Sequence, residues 1–346
     1  MNLGQFPRTR LAHLPTPLEP LPRLSGHLGG PTLFVKRDDC TGLAFGGNKT
    51  RKLEFALGRA LADEADVILT AGPLQSNHAR QTAAACAKLG LRCELVLSLQ
   101  SGWHEAGYEM TANRLLDDLL GAHVHLVETE HDRPPALDRL ARRFAETGER
   151  PFVVPAGASD AVGGLGYAAA AAELVEQLKS QGVDATHVVT ATGSGGTQGG
   201  LVAGLASLDN ALQVLGVDID ADVQKTSQLV LECASATAQL LGTEIRDERV
   251  VVIDGYAGSA YGAPTSEMRD AVRLAAELEG LILDPIYTGK AMAGLIDLVR
   301  RGRLSKRDTV VFLHTGGLPA LFAYRTALTV LPPGQSPPDT GAARRP

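Results

Sequence analysis

Lys49 follows two glycines, Gly46 and Gly47, and stands where a helical pattern begins. The positive end of a helix dipole disfavours a cation. A solvent-facing lysine is the plain reading there and fits poorly; a lysine that reacts through its amine as a Schiff-base former fits better. The run Gly42 to Gly47 comes close to a P-loop, but Asn48 intervenes before the lysine, which weakens a nucleoside-triphosphate reading. The richest loop is Thr192-Gly-Ser-Gly-Gly-Thr-Gln-Gly199. It follows a strand-like run and opens a helical one, so its backbone N–H groups form a seat for an anion, to which Ser194 and Thr197 add hydroxyl donors. Phosphate is the natural guest, with a tight strand-to-helix turn as the plainer possibility. The dinucleotide fingerprint is absent, because Gln198 occupies its third glycine position. Gln75-Ser-Asn-His78 marks another strand-to-helix junction. Ser76 or Asn77 could act there only as a helix cap, or the same N–H groups could hold a carboxylate. His78 on its own reads as a structural histidine.

Asp284–Lys290 and His314–Gly317 each follow an apolar run, and in α/β sheets ligands bind at the carboxyl ends of strands. Tyr261 lies in a Gly/Pro loop, where packing is the common role of a tyrosine. His123 and His125 share one strand face with no third ligand in view. Asp218, Asp220 and Asp222 are explained by a strand end and a helix cap, so no metal is expected. The four cysteines, Cys40, Cys86, Cys93 and Cys233, have no CxxC spacing. They read as reduced thiols of a cytoplasmic protein.

These segments need a scaffold, and the periodicity supplies one. Nine short strands are expected at 32–36, 67–71, 92–97, 123–127, 152–154, 187–191, 213–217, 250–253 and 310–313. Helices are expected between them at 49–64, 79–89, 108–120, 135–147, 165–181, 196–208, 222–241, 265–278 and 290–301. This alternation implies an α/β fold, with mostly parallel sheets covered on both faces. Nine strands suit two units better than one, and Pro155–Gly166 is a crossing point. The net charge of −6 leaves no broad footprint for nucleic acid or an anionic membrane. No continuous apolar leader is visible, so no signal peptide is expected. The Pro-rich stretch 331–346 cannot build a core and is expected to be disordered.

Together, Leu14–Leu18, Lys36–Asp39, Gly46–Glu54, Gln75–Thr82, Gly193–Thr197, Asp284–Lys290 and His314–Gly317 resemble the pyridoxal-phosphate enzymes of the tryptophan-synthase-β fold type (fold type II). The resemblance is to the branch that holds D-cysteine desulfhydrase, L-cysteate sulfo-lyase and 1-aminocyclopropane-1-carboxylate deaminase. It implies two open twisted sheets, with a small domain, 48–157, nested in a large cofactor domain, 1–47 and 158–330. It implies pyridoxal 5'-phosphate as cofactor, a small amino acid as substrate and a homodimer. Lys49 would carry the cofactor. Asn48, Asn77, Gly193, Ser194, Gly195, Gly196, Thr197, Thr288 and Thr315 would help bind it, Asn77 at the ring hydroxyl and Thr315 near the ring nitrogen. Ser76, Asn77, His78, Gly157, Tyr261 and Tyr287 would hold the substrate, with Ser76 and the two tyrosines next to the chemistry.

Within that branch, the deaminase pattern has an acidic residue after the tyrosine and leucine in the histidine motif. Here the residues are Thr288 and Thr315. Neutral hydroxyls support a weaker electron sink than a carboxylate at the ring nitrogen, which points to β-elimination from a cysteine-like amino acid. Lys49 would remove the Cα proton, its pKa lowered by desolvation. D-Cysteine is the first expectation, giving pyruvate, hydrogen sulfide and ammonia. L-Cysteate is the rival; a sulfonate would want a cation, and the loop Gln100–Tyr108 offers Trp103 and His104 but no Arg or Lys. Behind these two stand the deaminase, a pyridoxal-phosphate carrier without turnover, and an ATP-dependent enzyme.

Overall fold

The structure, a computed structural model, describes residues 1–329; the expectation for 331–346 lies outside the described residues. The chain opens with β1 (Leu18–Pro20), α1 (Pro22–Leu28) and β2 (Thr32–Lys36). It continues through α2 (Asn48–Ala62), β3 (Val67–Pro73), α3 (Asn77–Leu89), β4 (Arg92–Ser98), α4 (Ala112–Leu119), β5 (His123–Val127), α5 (Arg133–Glu146) and β6 (Pro151–Val153). Then come α6 (Ala161–Gln181), β7 (His187–Thr192), α7 (Gly196–Ser207), β8 (Gln213–Asp218), α8 (Val223–Leu240), β9 (Val251–Ile253), α9 (Ser266–Glu279), α10 (Thr288–Arg300), β10 (Thr309–Leu313), α11 (Leu318–Leu321) and α12 (Arg325–Leu328).

Two sheets result. The larger runs β1-β2-β10-β7-β8-β9 and the smaller β5-β4-β3-β6. All pairings are parallel except β1 against β2. Parallel strands buried on both faces must be near-continuously apolar, and β3 (VILTAGP) and β10 (TVVFL) are. All nine expected strands are present. The strand that periodicity missed, β1, is a three-residue edge strand ending in proline, too short for a pattern to register. The helix expected over 108–120 is broken: Tyr108–Met110 is a single 3₁₀ turn, and α4 starts afresh at Ala112, whose φ is 54°.

One core joins α2, α3 and the inner face of the small sheet, through Leu53, Leu57, Ala83 and Leu95. Two more cover the faces of the large sheet, one under α1, α9 and α10, the other under α6 and α7. Helix α2 packs on both α3 and α6 and so ties the two sheets together. Polar groups hold it there. Arg51, fully buried, pairs with Asp38 and Glu173, each at 2.8 Å, and Glu54 accepts from the Leu11 and Ala12 N–H groups and from Arg8. Losing one partner of such a pair would strand a buried charge, so α2 has one position available to it.

Candidate active site

Between the sheets lies a cavity of about 800 Å³, room for a cofactor and a small amino acid together. At one end, β7 gives way to α7 through Gly193, Ser194 and Gly195. Gly195 has φ 78°, and a Cβ there would meet the Leu229 backbone at 2.7 Å. The first N–H groups of α7 have no intrahelical acceptors and point at the cavity. Thr197 accepts from Asn48 Nδ2 at 2.8 Å, and Ser194 shares a hydrogen bond with Ser159 at 2.9 Å. Beneath the loop, Lys52 donates to Ser159 at 3.2 Å. A Cβ on Gly196 would come within 2.8 Å of the Lys52 amine. Lys52 is fully buried and forms no ion pair among the described residues. Burial, with the Lys49 charge beside it, drives its pKa well down.

Lys49 enters from the second residue of α2. Gly46 and Gly47 turn the chain there with φ of 66° and 126°, values that a side chain resists. The Lys49 amine ends 3.3 Å from where a Cβ of Gly157 would stand, so glycine at 157 keeps its approach open. Burial lowers its pKa to about 8, opposed by a hydrogen bond with Lys52. About one amine in ten is then free base at neutral pH.

Along the next wall is the start of α3. Ser76 is its N-cap, accepting from Ala79 N–H at 3.1 Å, so the capping reading holds for Ser76 even as it lines the cavity. The Asn77 Oδ1 atom accepts from Arg80 at 3.2 Å and from Asn113 Nδ2 at 2.9 Å. Arginine can only donate, so this orientation is forced, and the Asn77 amide NH₂ is left to face the cavity. Thr70 gives its hydroxyl proton to the Val154 carbonyl at 2.8 Å. It must therefore accept from His78 Nε2, also at 2.8 Å. The proton of His78 sits on Nε2 and its Nδ1 is bare, buried and unpartnered. Burial and the two lysines press its pKa well below the usual value, so it is neutral.

The opposite wall carries Tyr261 and Tyr287, whose hydroxyls lie 2.5 Å apart. Burial raises both pKa values, and they act as neutral hydrogen-bonding groups. Thr315 lines the cavity with no hydrogen bond from its hydroxyl among the described residues, and its carbonyl accepts from the Asn48 N–H at 3.0 Å. The cavity thus gathers Asn48, Lys49, Ser76, Asn77, His78, Gly157, Gly193, Ser194, Gly195, Thr197, Tyr261, Tyr287 and Thr315. Gly196 stands behind, beside Lys52. Thr288 does not line the cavity. Its hydroxyl donates to Asp284 Oδ1 at 2.6 Å and accepts from the Asp284 N–H at 2.8 Å. It locks the turn that presents Tyr287, because α10 begins there and Asp284 gathers its first N–H groups.

Sequence reading missed three features of the site. Lys52 is three residues beyond Lys49, on the same side of α2, so helical spacing alone could have paired them. Arg80 and Asn113, which orient Asn77, are joined only by the fold. So is Arg133, the first residue of α5, which lines the cavity although the loop expected to supply any cation has none. In that loop, Trp103 stacks on Tyr324 with ring centroids 6.0 Å apart, outside the cavity lining, and Gln100, Ser101 and Gly102 face it instead. His123 and His125 both bond Glu94, at 2.9 and 2.6 Å.

Pyridoxal phosphate fits this arrangement. Lys52 is a buried amine with no counter-charge beside the glycine loop, so an anion seated there would restore its proton; Lys49 presents an amine of lowered pKa, and the Asn77 amide is free to donate. Comparison with known proteins agrees. A family model described as pyridoxal-phosphate dependent enzyme matches residues 9–316. Two curated D-cysteine desulfhydrases, from strains of Klebsiella pneumoniae, are 46% and 45% identical over 327 residues, 94% of this chain and 99% of theirs. A crystal structure of an ACC deaminase homologue is 36% identical with a TM-score of 0.86, covering 94% of this chain and 96% of its own. A T.th. threonine deaminase (23% identity, TM-score 0.60, 87% of this chain and 92% of its own) shares the fold. The chain belongs to the pyridoxal-phosphate dependent enzymes.

Proposed function

We propose that this enzyme is a carbon–sulfur lyase that converts D-cysteine to pyruvate, hydrogen sulfide and ammonia by β-elimination. The observation that carries this reading is the placement of the Lys49 amine. Its pKa lies near 8, between a phosphate cradle and a wall of two neutral tyrosines, with the start of α3 open to a carboxylate. The identity to curated D-cysteine desulfhydrases supports the substrate. When bound, pyridoxal phosphate supplies an aldehyde that captures the amino group and a ring that accepts electrons from Cα.

The protein's residues do the rest. Gly193–Thr197 and Lys52 would hold the phosphate, and Asn77 would donate to the ring hydroxyl. Ser76 and the N–H groups around it seat the substrate carboxylate. Lys49 takes the Cα proton on Nζ; its lowered pKa keeps a share of the amine ready to accept it. Tyr261 and Tyr287 close the substrate side. Thr315 offers the ring nitrogen a neutral hydroxyl rather than a carboxylate, which favours elimination over cyclopropane opening; Thr288 contributes through the turn it holds. The enamine released hydrolyses in water to pyruvate and ammonia.

A second reading, L-cysteate sulfo-lyase, is favoured by Arg133, a cation in the cavity suited to a sulfonate. Release of pyruvate from both enantiomers of cysteine and from L-cysteate, and of 2-oxobutanoate from 1-aminocyclopropane-1-carboxylate, tests the set. Release from D-cysteine fastest supports the first reading, and no pyruvate from any of them ends it.

The same reading takes residues 48–157 as a small domain within a large one, 1–47 and 158–330, and assigns the protein to the cytoplasm. No helix among the described residues is long and apolar enough to cross a membrane. It also takes the enzyme as a homodimer. Met110, Leu119 and Phe322 are exposed on the adjoining 3₁₀ turn, α4 and α11 region, and such side chains call for cover. Sedimentation at twice the chain mass is the expected result.

A further inference from the structure

Arg133 has no part in the D-cysteine reading above. Its Nε and Nη2 both donate to the hydroxyl of Ser98, at 3.0 and 2.5 Å, and Ser98 is fully buried at the end of β4. The guanidinium is therefore aimed, not free to roam, and it lines the same cavity as Lys49, Tyr261 and Tyr287. Its Nη1 has no partner, and it forms no ion pair among the described residues. Glu130, Asp220 and the two phenols act on it only through space, while burial pulls its pKa down. A half-buried cation that no carboxylate pairs directly still has donors to offer an anion in the substrate cavity.

Two anion seats are already taken. The cradle at α7 with Lys52 receives the phosphate, and the start of α3 receives the carboxylate. β-Elimination makes one more anion. The Cα–H proton goes to Lys49 Nζ, and its electron pair ends as the Cα=Cβ bond. The Cβ–S bond breaks with its pair on sulfur. We propose that Arg133 receives the departing hydrosulfide as an anion and stabilises the charge that develops on sulfur as the bond breaks. The inference rests on the C–S lyase reading. The two tyrosines, whose pKa values burial raises, then need not protonate the leaving group.

The test compares leaving groups. β-Chloro-D-alanine loses chloride, which needs little help, whereas D-cysteine loses hydrosulfide. Arg133→Met should lower kcat on D-cysteine by about 100-fold, the loss typical of one preorganised donor to a developing anion. On β-chloro-D-alanine the fall should be within about threefold, since a better leaving group gains less from that donor. Arg133→Lys should recover part of the loss on D-cysteine. Calorimetry adds a direct readout: the wild-type holoenzyme should bind sulfide and Arg133→Met should not. Equal losses on both substrates, no loss on D-cysteine, or undiminished sulfide binding by Arg133→Met would each overturn the proposal. If the wild type releases pyruvate from neither substrate, the lyase reading itself fails, and sulfide binding alone then decides whether Arg133 is an anion site.

Discussion

The two anion seats proposed for the cavity are built differently. The one at α7 is made of backbone: glycines at 193, 195 and 196, a left-handed turn at Gly195, and a buried lysine underneath. The one at α3 relies more on side chains: a serine cap for which Gly72 leaves room, an asparagine oriented by Arg80 and Asn113, and a neutral histidine, set beside the first N–H groups of the helix. Its cation, Arg80, stands behind Asn77, reaching the Gly46 carbonyl at 2.8 Å. A full charge in direct reach holds an anion tightly, whereas dipoles backed by a remote charge hold it loosely. The first suits a group that stays through every turnover. The second suits a carboxylate that must leave after each.

That contrast can be broken by mutation. The largest effect falls on neither seat: Lys49→Ala should cost turnover about 10⁴-fold or more, the upper range for a group that moves a proton. It should also remove the cofactor's visible absorption band, and a retained band with retained pyruvate release would defeat the assignment. Next, Lys52→Met should weaken pyridoxal phosphate binding on the order of 100-fold, as expected when one partner of a buried charge pair is truncated. KM for D-cysteine, measured at saturating cofactor, should barely move. Asn113→Ala should do the reverse. It frees Asn77 and leaves Arg80 without one acceptor, so kcat/KM on D-cysteine should fall about tenfold, the worth of about one charged hydrogen bond. Cofactor affinity should change less than that. If both variants shift both quantities alike, the seats do not have separate duties.

The smallest effect is one of pH. Lys49 reacts as the free base, and its folded pKa is lowered to about 8 from an ordinary 10.5, first by burial. Capture of the cofactor by protein freed of it should therefore speed up as pH rises from 6 to about 8, then level off; an unburied lysine would still be gaining at pH 10. Stopped-flow absorbance separates the two profiles.

Most of the scaffold was readable because it depends on local period. Apolar runs such as Val310–Leu313 could only be buried strands, and all nine appear at their expected places. What escaped was short or marginal: β1, held only by antiparallel pairing to β2, and α1, whose last turn carries no strong pattern. The break before α4 escaped because a single left-handed alanine leaves no mark in a hydrophobic pattern. Site residues divide the same way. That the α7 loop and Lys49 would meet at one cavity could be anticipated because glycines beside a lysine at a helix start have few other uses. Thr288, expected to help bind the cofactor, lies outside the cavity lining, since an α10 start with Asp284 four residues earlier in the chain uses its hydroxyl for capping. The loop Gln100–Tyr108 indeed carries no Arg or Lys, but Arg133 reaches the cavity from a different helix, which no reading of that loop could show.

By itself, the sequence determined the period of each element, the two glycine turns that let Lys49 and the α7 loop take their conformations, and the neutral residues at 288 and 315. These are matters of backbone sterics and side-chain type, settled within a few residues. Only the tertiary structure decided which charges share the cavity: Lys52 under the α7 loop, Arg80 behind Asn77, and Arg133 held on Ser98 across from the tyrosines. Electrostatic energy depends on distance and on burial, and for residues carried by different elements neither exists until the two sheets and α2 are packed together.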